Sequence, residues 1–279
     1  MIKKHIYKFF LLIVVITGLI IIACFYFFNR LEITESFDEF EGMWSITIFI
    51  LIRITLTGAM TLFIFRQWFR QNTLHFSDIS FLFGLFFLGL VFGKFLDLLY
   101  KLTYFTADNE NLLILLKFRY ILIILTITPL IFIGNDIIFL RGSQYHEKFS
   151  NDNYRNRLNI GFIVIIISIE SVMVIISPNL IILSLVLMCI HIPSLAWITC
   201  TFYYAYRNEQ LLQIKPLLIS IIFFLDIVLY ALSIITNPFR RKTIGFSPIY
   251  TIFAELIDLI IIIIIFLGYY LESDNKPNN

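Results

Sequence analysis

Long apolar stretches separated by short polar segments follow one another along almost the whole chain. A helix needs about 20 mostly apolar residues to cross the hydrocarbon core of a bilayer. Because lipid offers the backbone no hydrogen-bond partners, and because these stretches lack the alternation of a barrel strand, each should form a helix. The pattern predicts an all-α, polytopic integral membrane helix bundle with about eight transmembrane helices, at residues 8–28, 45–65, 79–100, 112–140, 159–177, 180–204, 216–236 and 249–271.

The spans extend from one end of the chain to the other, which predicts a single multi-pass membrane domain over residues 1–279 with a short polar tail at 272–279. The first span begins like a signal sequence, and "IIAC" at 21–24 resembles the lipoprotein box that would leave Cys24 acylated. The apolar run continues to Phe28, which favours an uncleaved helix. Cleavage, or one miscounted span, would reduce the number of helices to seven.

Composition supports the membrane class, since 59% of the residues are hydrophobic and 14% charged, against roughly 45–50% and roughly 25% in soluble domains. The net charge of +2 and the lack of basic runs interleaved with aromatic residues predict no nucleic-acid partner. Cys24, Cys189 and Cys200 lie in apolar stretches and are interpreted as packing residues. Only one histidine, His191, is embedded, so no metal site and no cofactor is predicted. No catalytic motif is present either, and the chain is not expected to be an enzyme.

Basic residues in the loops predict the orientation of the chain. With a cytoplasmic N-terminus, twelve lysines and arginines fall on the inner side and five on the outer side. The protein is therefore expected in the cell membrane with both termini in the cytoplasm. The segment "LEITESFDEFEG" at 31–42 is interpreted as an acidic outer loop, which is compatible with this orientation. Arg240, Arg241 and Lys242 are the exception, because this topology places them outside.

Charged residues inside the apolar stretches are the main functional signal. Ten ionisable residues fall within the spans, and nine of them lie in the outer half of the bilayer, seven at a depth of about 9–15 Å for a rise of about 1.5 Å per residue. Only Asp136 lies toward the cytoplasmic side. An unpaired charge at mid-bilayer is costly, so these groups should pair, reach the headgroups or line a wet cavity. Eight of them are the candidate ligand-binding or ion-pair cluster: Arg53, Lys94, Asp97, Arg119, Glu170, Asp226, Glu255 and Asp258.

Helical spacing indicates which of these side chains share a face. Lys94, Asp97 and Lys101 form one stripe, and Glu255 shares a face with Asp258. Lys117 and Arg119 are about 200° apart. We therefore expect Arg119 to face the interior and Lys117 to reach the headgroups. The glycines of "GLVFG" at 89–93 should let a neighbouring helix approach closely.

Three functions are compatible with this pattern. The first is a sensor or receptor-like protein with an outward-opening charged pocket for a small ligand with an anionic portion. The second is a proton- or cation-coupled transporter or channel that uses the embedded carboxylates, and the third is a membrane scaffold or assembly subunit in which the charges only pair helices. The helix count and the helix–loop rhythm resemble the helical sensor modules that precede prokaryotic histidine kinases, a resemblance that implies a sensor function. The expected partners are membrane lipids, a small-molecule or ion ligand and a cytoplasmic signalling protein, with an oligomer left open.

Overall fold

The computed structural model describes residues 2–71, 73–142, 146–211, 213–243 and 248–271, except for the side chains of residues 2–5 and 232–243. The polar tail at 272–279 and the side chains of Arg240, Arg241 and Lys242 therefore lie outside the described residues. A short 3₁₀ turn, Glu147–Ser150, precedes the sixth α-helix. The α-helices are α1 (Ile2–Phe28), α2 (Arg30–Glu39), α3 (Met43–Phe69), α4 (Ile79–Thr103), α5 (Asn109–Gly142), α6 (Asp152–Ile176), α7 (Leu180–Arg207), α8 (Pro216–Thr243) and α9 (Pro248–Tyr270).

The helices confirm the all-α membrane class. Within the described ranges, seven of them are long and apolar enough to cross a membrane, namely α1, α3, α4, α5, α6, α7 and α9. The described part of α8 contributes a shorter apolar helix, Pro216–Ala231. Each of the eight predicted spans falls on one of these helices.

The acidic segment between the first two spans is a helix rather than a loop, because α2 runs from Arg30 to Glu39. The chain then turns at Gly42, whose φ of 88° lies in the left-handed region that glycine adopts without steric cost. This turn lets α3 begin immediately after the short helix.

The chain divides into two compact units, which are described separately. Unit 1 comprises residues 1–126 and 173–183, and unit 2 comprises residues 127–172 and 184–279. The prediction of one membrane domain stays a prediction.

Helix α4 is the centre of unit 1, where it packs against α1, α2 and α3. Its phenylalanine-rich first half fills the interior, and both Phe83 and Phe87 are fully buried. The α3–α4 turn is fastened by Asp78, whose Oδ2 accepts hydrogen bonds from Trp68 Nε1 and from the His75 backbone N–H, each at 2.8 Å. Because Trp68 is fully buried, this bond satisfies a polar group that would otherwise be orphaned.

Unit 2 contains the close pair α8 and α9. The Lys215 backbone N–H donates to the Gly268 carbonyl at 2.7 Å. A Cβ on Gly268 would lie 2.8 Å from Ile219 Cγ1, so glycine is needed for the helices to approach this closely.

The three cysteines correct one expectation. Cys24, Cys189 and Cys200 are exposed on their helices and are not packed in the interior. In a membrane helix, an exposed thiol on an apolar face meets lipid, which a small, weakly polar side chain tolerates.

Candidate functional site

A buried carboxylate on α4, Asp97, is the centre of the charged site in unit 1. Asp97 is 5% exposed. Lys94 Nζ donates to its Oδ2 at 2.6 Å, and Arg119 Nη2 lies 2.6 Å from its Oδ1. Lys101 Nζ is 3.5 Å from Oδ2, beyond an ordinary hydrogen bond but within ion-pair distance. We call these four residues the Asp97 cluster; it holds three cationic groups and one carboxylate.

The local sequence explains why the cluster forms. Residues three and four apart on a helix are neighbours on its surface, so Lys94 and Lys101 flank Asp97 on one face of α4. Arg119 comes from α5, which is held against α4 at Gly89. A Cβ on Gly89 would lie 3.0 Å from the Thr126 Cα, so the two backbones nearly touch there.

The helix register then determines which residue of α5 meets Asp97. Asp97 lies eight residues after Gly89, and Arg119 lies seven residues before Thr126. At about 1.5 Å per residue, both are about 11–12 Å from the contact point, at the same level of an antiparallel pair. The close approach at Gly89 therefore places the guanidinium beside the carboxylate.

The two basic residues of α5 take different directions, as helical spacing predicts. Arg119 reaches Asp97, and its guanidinium also lies over the Tyr100 ring, 5.6 Å from the centroid. Lys117 instead donates to the Ile175 carbonyl at 2.8 Å. Ile175 is in the last turn of α6, where carbonyls lack helical partners and a cation is favourable.

Helix α1 closes another side of the cluster. The Tyr26 hydroxyl donates to the Phe95 carbonyl at 2.9 Å, two residues from Asp97. Farther along the pair, a Cβ on Gly18 would lie 2.7 Å from the Phe92 ring, so this ring packs directly on the α1 backbone.

Arg53 lies in the same unit, on the buried face of α3. It is 9% exposed and shares this face with Thr57 and Thr61. The threonine hydroxyls donate to the carbonyls of Arg53 and Thr57, four residues back, at 2.8 Å each. Both threonine hydroxyls therefore have their hydrogen-bond acceptors within α3 itself.

The other four acidic candidates belong to unit 2. Glu255 on α9 is buried, with 4% exposure, whereas Glu170, Asp226 and Asp258 are half-buried. The contact of Ile219 with Gly268 sets the α8–α9 register, and Asp226 and Asp258 lie about 10 Å and about 15 Å from it along their helices. The structure thus brings Lys94, Asp97 and Arg119 into contact, while a single cluster of all eight residues stays a prediction.

A second polar site was not predicted from the sequence. Asn135 and Asn159 are almost fully buried, at 2% and 0% exposure. Asn135 Nδ2 donates to Asn159 Oδ1 at 3.0 Å, and Trp197 Nε1 donates to Asn135 Oδ1 at 3.1 Å. Asn159 Nδ2 donates to the Phe132 carbonyl at 2.9 Å. This Asn135 network joins α5, α6 and α7, and two asparagines in apolar helices were the signal that could have revealed it.

Asp136, the embedded acid predicted nearest the cytoplasmic side, has a partner from the following helix. Arg155 Nε donates to Asp136 Oδ1 at 2.6 Å, and Arg155 Nη2 donates to Asp152 Oδ1 at 2.8 Å. The arginine sits at the start of α6, so the pair fastens α5 to α6 near one end of the bundle.

No group of three or more histidine, cysteine, aspartate or glutamate residues suited to a metal ion occurs in the part of the chain that the structure describes. In comparisons with known proteins, no family model, no curated protein and no solved structure matches this chain.

Proposed function

We propose that the protein is a multi-pass membrane sensor, or receptor-like protein, whose Asp97 cluster receives the anionic group of a small ligand. One observation carries the proposal: a single buried carboxylate has three cationic side chains within 4 Å. Cationic groups gathered in an apolar surrounding favour the approach of an anion.

Exposure indicates which cations would meet the ligand. The side chains of Lys101 and Arg119 are 22% and 25% exposed, whereas that of Lys94 is 10% exposed. Arg119 offers a planar fork that suits a carboxylate or phosphate. Lys101, at 3.5 Å from Asp97, is the loosest member of the cluster. An incoming anion would therefore meet Lys101 and Arg119, while Lys94 keeps its short bond to Asp97.

Helix α5 is the element best suited to change conformation when a ligand binds at the Asp97 cluster. It carries Arg119 in its first third and Arg141 in its last turn, where the Arg141 guanidinium lies 5.0 Å from the Tyr204 ring centroid. Pro129 removes a backbone hydrogen bond midway, which makes the helix easier to bend there. A ligand that competes with Asp97 for Arg119 would bind one conformation of α5 more tightly than another. Such a difference in affinity is what a ligand needs in order to shift a conformational equilibrium.

The proposal is tested by anion binding to the purified full-length protein in nanodiscs. Unfolding temperatures are measured with inorganic phosphate, sulfate, acetate or citrate, and with chloride at matched ionic strength. At least one of the four anions should raise the unfolding temperature above the chloride reference. Arg119→Gln should remove this increase, because the forked donor is lost.

Lys117→Gln is the matched control, since it removes a cation two residues away that contacts Ile175 and not Asp97. Equal loss of the anion effect in both variants would contradict the proposal. A transporter would give a different result: proton or cation flux in proteoliposomes that disappears in Asp226→Asn counts against the sensor.

A further inference from the structure

Two buried oxygen atoms beneath α2 have no role in the Asp97 cluster. Glu32 Oε2 and Ser36 Oγ are shielded from solvent, and neither has a hydrogen-bond partner among the residues that the structure describes. Ser36 is 1% exposed, and Glu32 precedes it by one helical turn. Residues four apart lie on one helix face, so both oxygens are on the face of α2 that is turned inward.

Helix α2 is anchored at several points, which fixes the two oxygens in place. The Thr106 hydroxyl donates to the Glu32 carbonyl at 2.9 Å, and the rings of Phe40 and Phe105 stack with centroids 4.7 Å apart. Phe37 also packs on Trp44 at the start of α3, with centroids 4.4 Å apart. Since α2 packs on α4 and α3, it covers the ends of both helices.

The hydrogen-bonding chemistry of Glu32 Oε2 and Ser36 Oγ determines which chemical group could bind to them. A carboxylate oxygen only accepts hydrogen bonds, and a serine hydroxyl accepts as well as donates. Buried acceptors of this kind are normally satisfied, and a buried carboxylate favours a cationic donor. A protonated amine supplies both the charge and several N–H donors.

The surrounding charge favours the same group. Residues 30–41 carry five carboxylates and one arginine. This acidic outer segment repels a simple anion but attracts an amine, so the anionic ligand proposed above would approach more readily if it also carried a positive charge.

We infer that Glu32 and Ser36 form an ammonium subsite, and that the ligand is an extended zwitterion with its anionic group at Lys101 and Arg119. This inference rests on the proposed function. The Thr106 hydroxyl, which donates to the Glu32 backbone carbonyl, lies just past the end of α4 at Thr103, and Lys101 lies two residues before that end, so the two subsites are more than one helical turn apart. The ammonium and anionic groups should therefore be separated by several bonds, as in an ω-amino acid.

The test compares 6-aminohexanoate with hexanoate, which has the same chain and no amine. Both are titrated against the full-length protein in nanodiscs by isothermal calorimetry. 6-Aminohexanoate should bind at least about tenfold more tightly, the effect of one charge-assisted hydrogen bond. Glycine, whose charges are too close together to reach both subsites, should gain nothing over acetate.

Glu32→Gln and Ser36→Ala should each reduce the affinity for 6-aminohexanoate toward that of hexanoate while leaving hexanoate binding unchanged. Glu35→Gln is the matched control, because Glu35 lies on the same helix with its side chain exposed. Equal affinities for the two probes, or equal effects of Glu32→Gln and Glu35→Gln, would overturn the ammonium subsite, which water alone would then fill. Hexanoate binding that depends on Arg119 would leave the proposed function standing in that case, whereas failure of hexanoate and of inorganic phosphate to bind would overturn both.

Discussion

Two groups of polar side chains inside these apolar helices are satisfied by specific partners. In the Asp97 cluster the partners are cations, and in the Asn135 network they are amides, a carbonyl and the Trp197 indole. An unsatisfied polar group in an apolar surrounding costs the desolvation free energy of that group. Each such residue therefore selects the neighbour that its helix must face.

The Asn135 network allows a direct test of this point. Asn135→Leu removes the acceptor of Trp197 Nε1 and the donor to Asn159 Oδ1, so the free energy of unfolding should fall by about 1–2 kcal/mol. Asn208→Ala, at the exposed end of α7, should change it by less than about 0.5 kcal/mol. Circular dichroism during a denaturing-detergent titration measures both values, and equal losses would contradict a structural role for the network.

Some residue positions could be predicted from the sequence, and others depend on contacts that no local pattern shows. That Arg119 and Lys117 point in different directions follows from helical spacing alone, since about 200° separates them. Glu32 and Ser36 lie in a segment interpreted as a loop, so their common face was not visible. Asn135 was missed because only ionisable residues were considered, although a buried amide is also constrained by its hydrogen bonds.

At the scale of helices, one glycine determines how α4 meets α5. The predicted pair, Gly89 and Gly93, divides in the structure: a side chain at Gly89 would collide with Thr126, whereas nothing lies within 4 Å of a Cβ on Gly93. The prediction of close packing at these glycines is therefore confirmed for Gly89 and wrong for Gly93. Close approach requires a glycine only on the face that meets the neighbouring helix.

The two glycines provide a matched pair of substitutions. Gly89→Ala should lower the free energy of unfolding by about 1–3 kcal/mol, because α5 must move away from α4. Gly93→Ala should be neutral or stabilise by up to about 1 kcal/mol, since alanine favours the helix. Thermal unfolding in nanodiscs measures both, and a cost at Gly93 equal to that at Gly89 would show that the close contact is not the cause.

Helix α2 shows why one element could not be predicted. Four of its ten residues are acidic and it lacks a continuous apolar stripe, so intrinsic propensity alone would leave so short a helix marginal. Contacts with residues distant in the sequence, such as that of Phe40 with Phe105, add the stability that the local sequence lacks. The long spans, by contrast, are dictated by the bilayer itself, because a backbone in lipid must satisfy its own hydrogen bonds.

At the scale of the whole molecule, the number of crossings determines which side each loop faces. The membrane helix bundle is established by the seven long apolar helices of the described ranges together with the shorter Pro216–Ala231. The sides of the termini follow from loop charges, and they remain a prediction. Arg240, Arg241 and Lys242 oppose it, because eight crossings place these cations on the outer side.

Single cysteines resolve this conflict. Starting from a variant with Cys24, Cys189 and Cys200 replaced by alanine, a membrane-impermeant maleimide applied to intact cells should label Asn109→Cys, which follows the α4–α5 turn. It should label Asn153→Cys and Leu271→Cys only after permeabilisation, since both positions are predicted to be cytoplasmic. Labelling of Leu271→Cys in intact cells, with Asn153→Cys still protected, would mean that helices α6 to α9 make an odd number of crossings rather than four. If α8 is the helix that does not cross, Arg240, Arg241 and Lys242 lie on the cytoplasmic side, in agreement with the positive-inside rule, and the chain has seven spans.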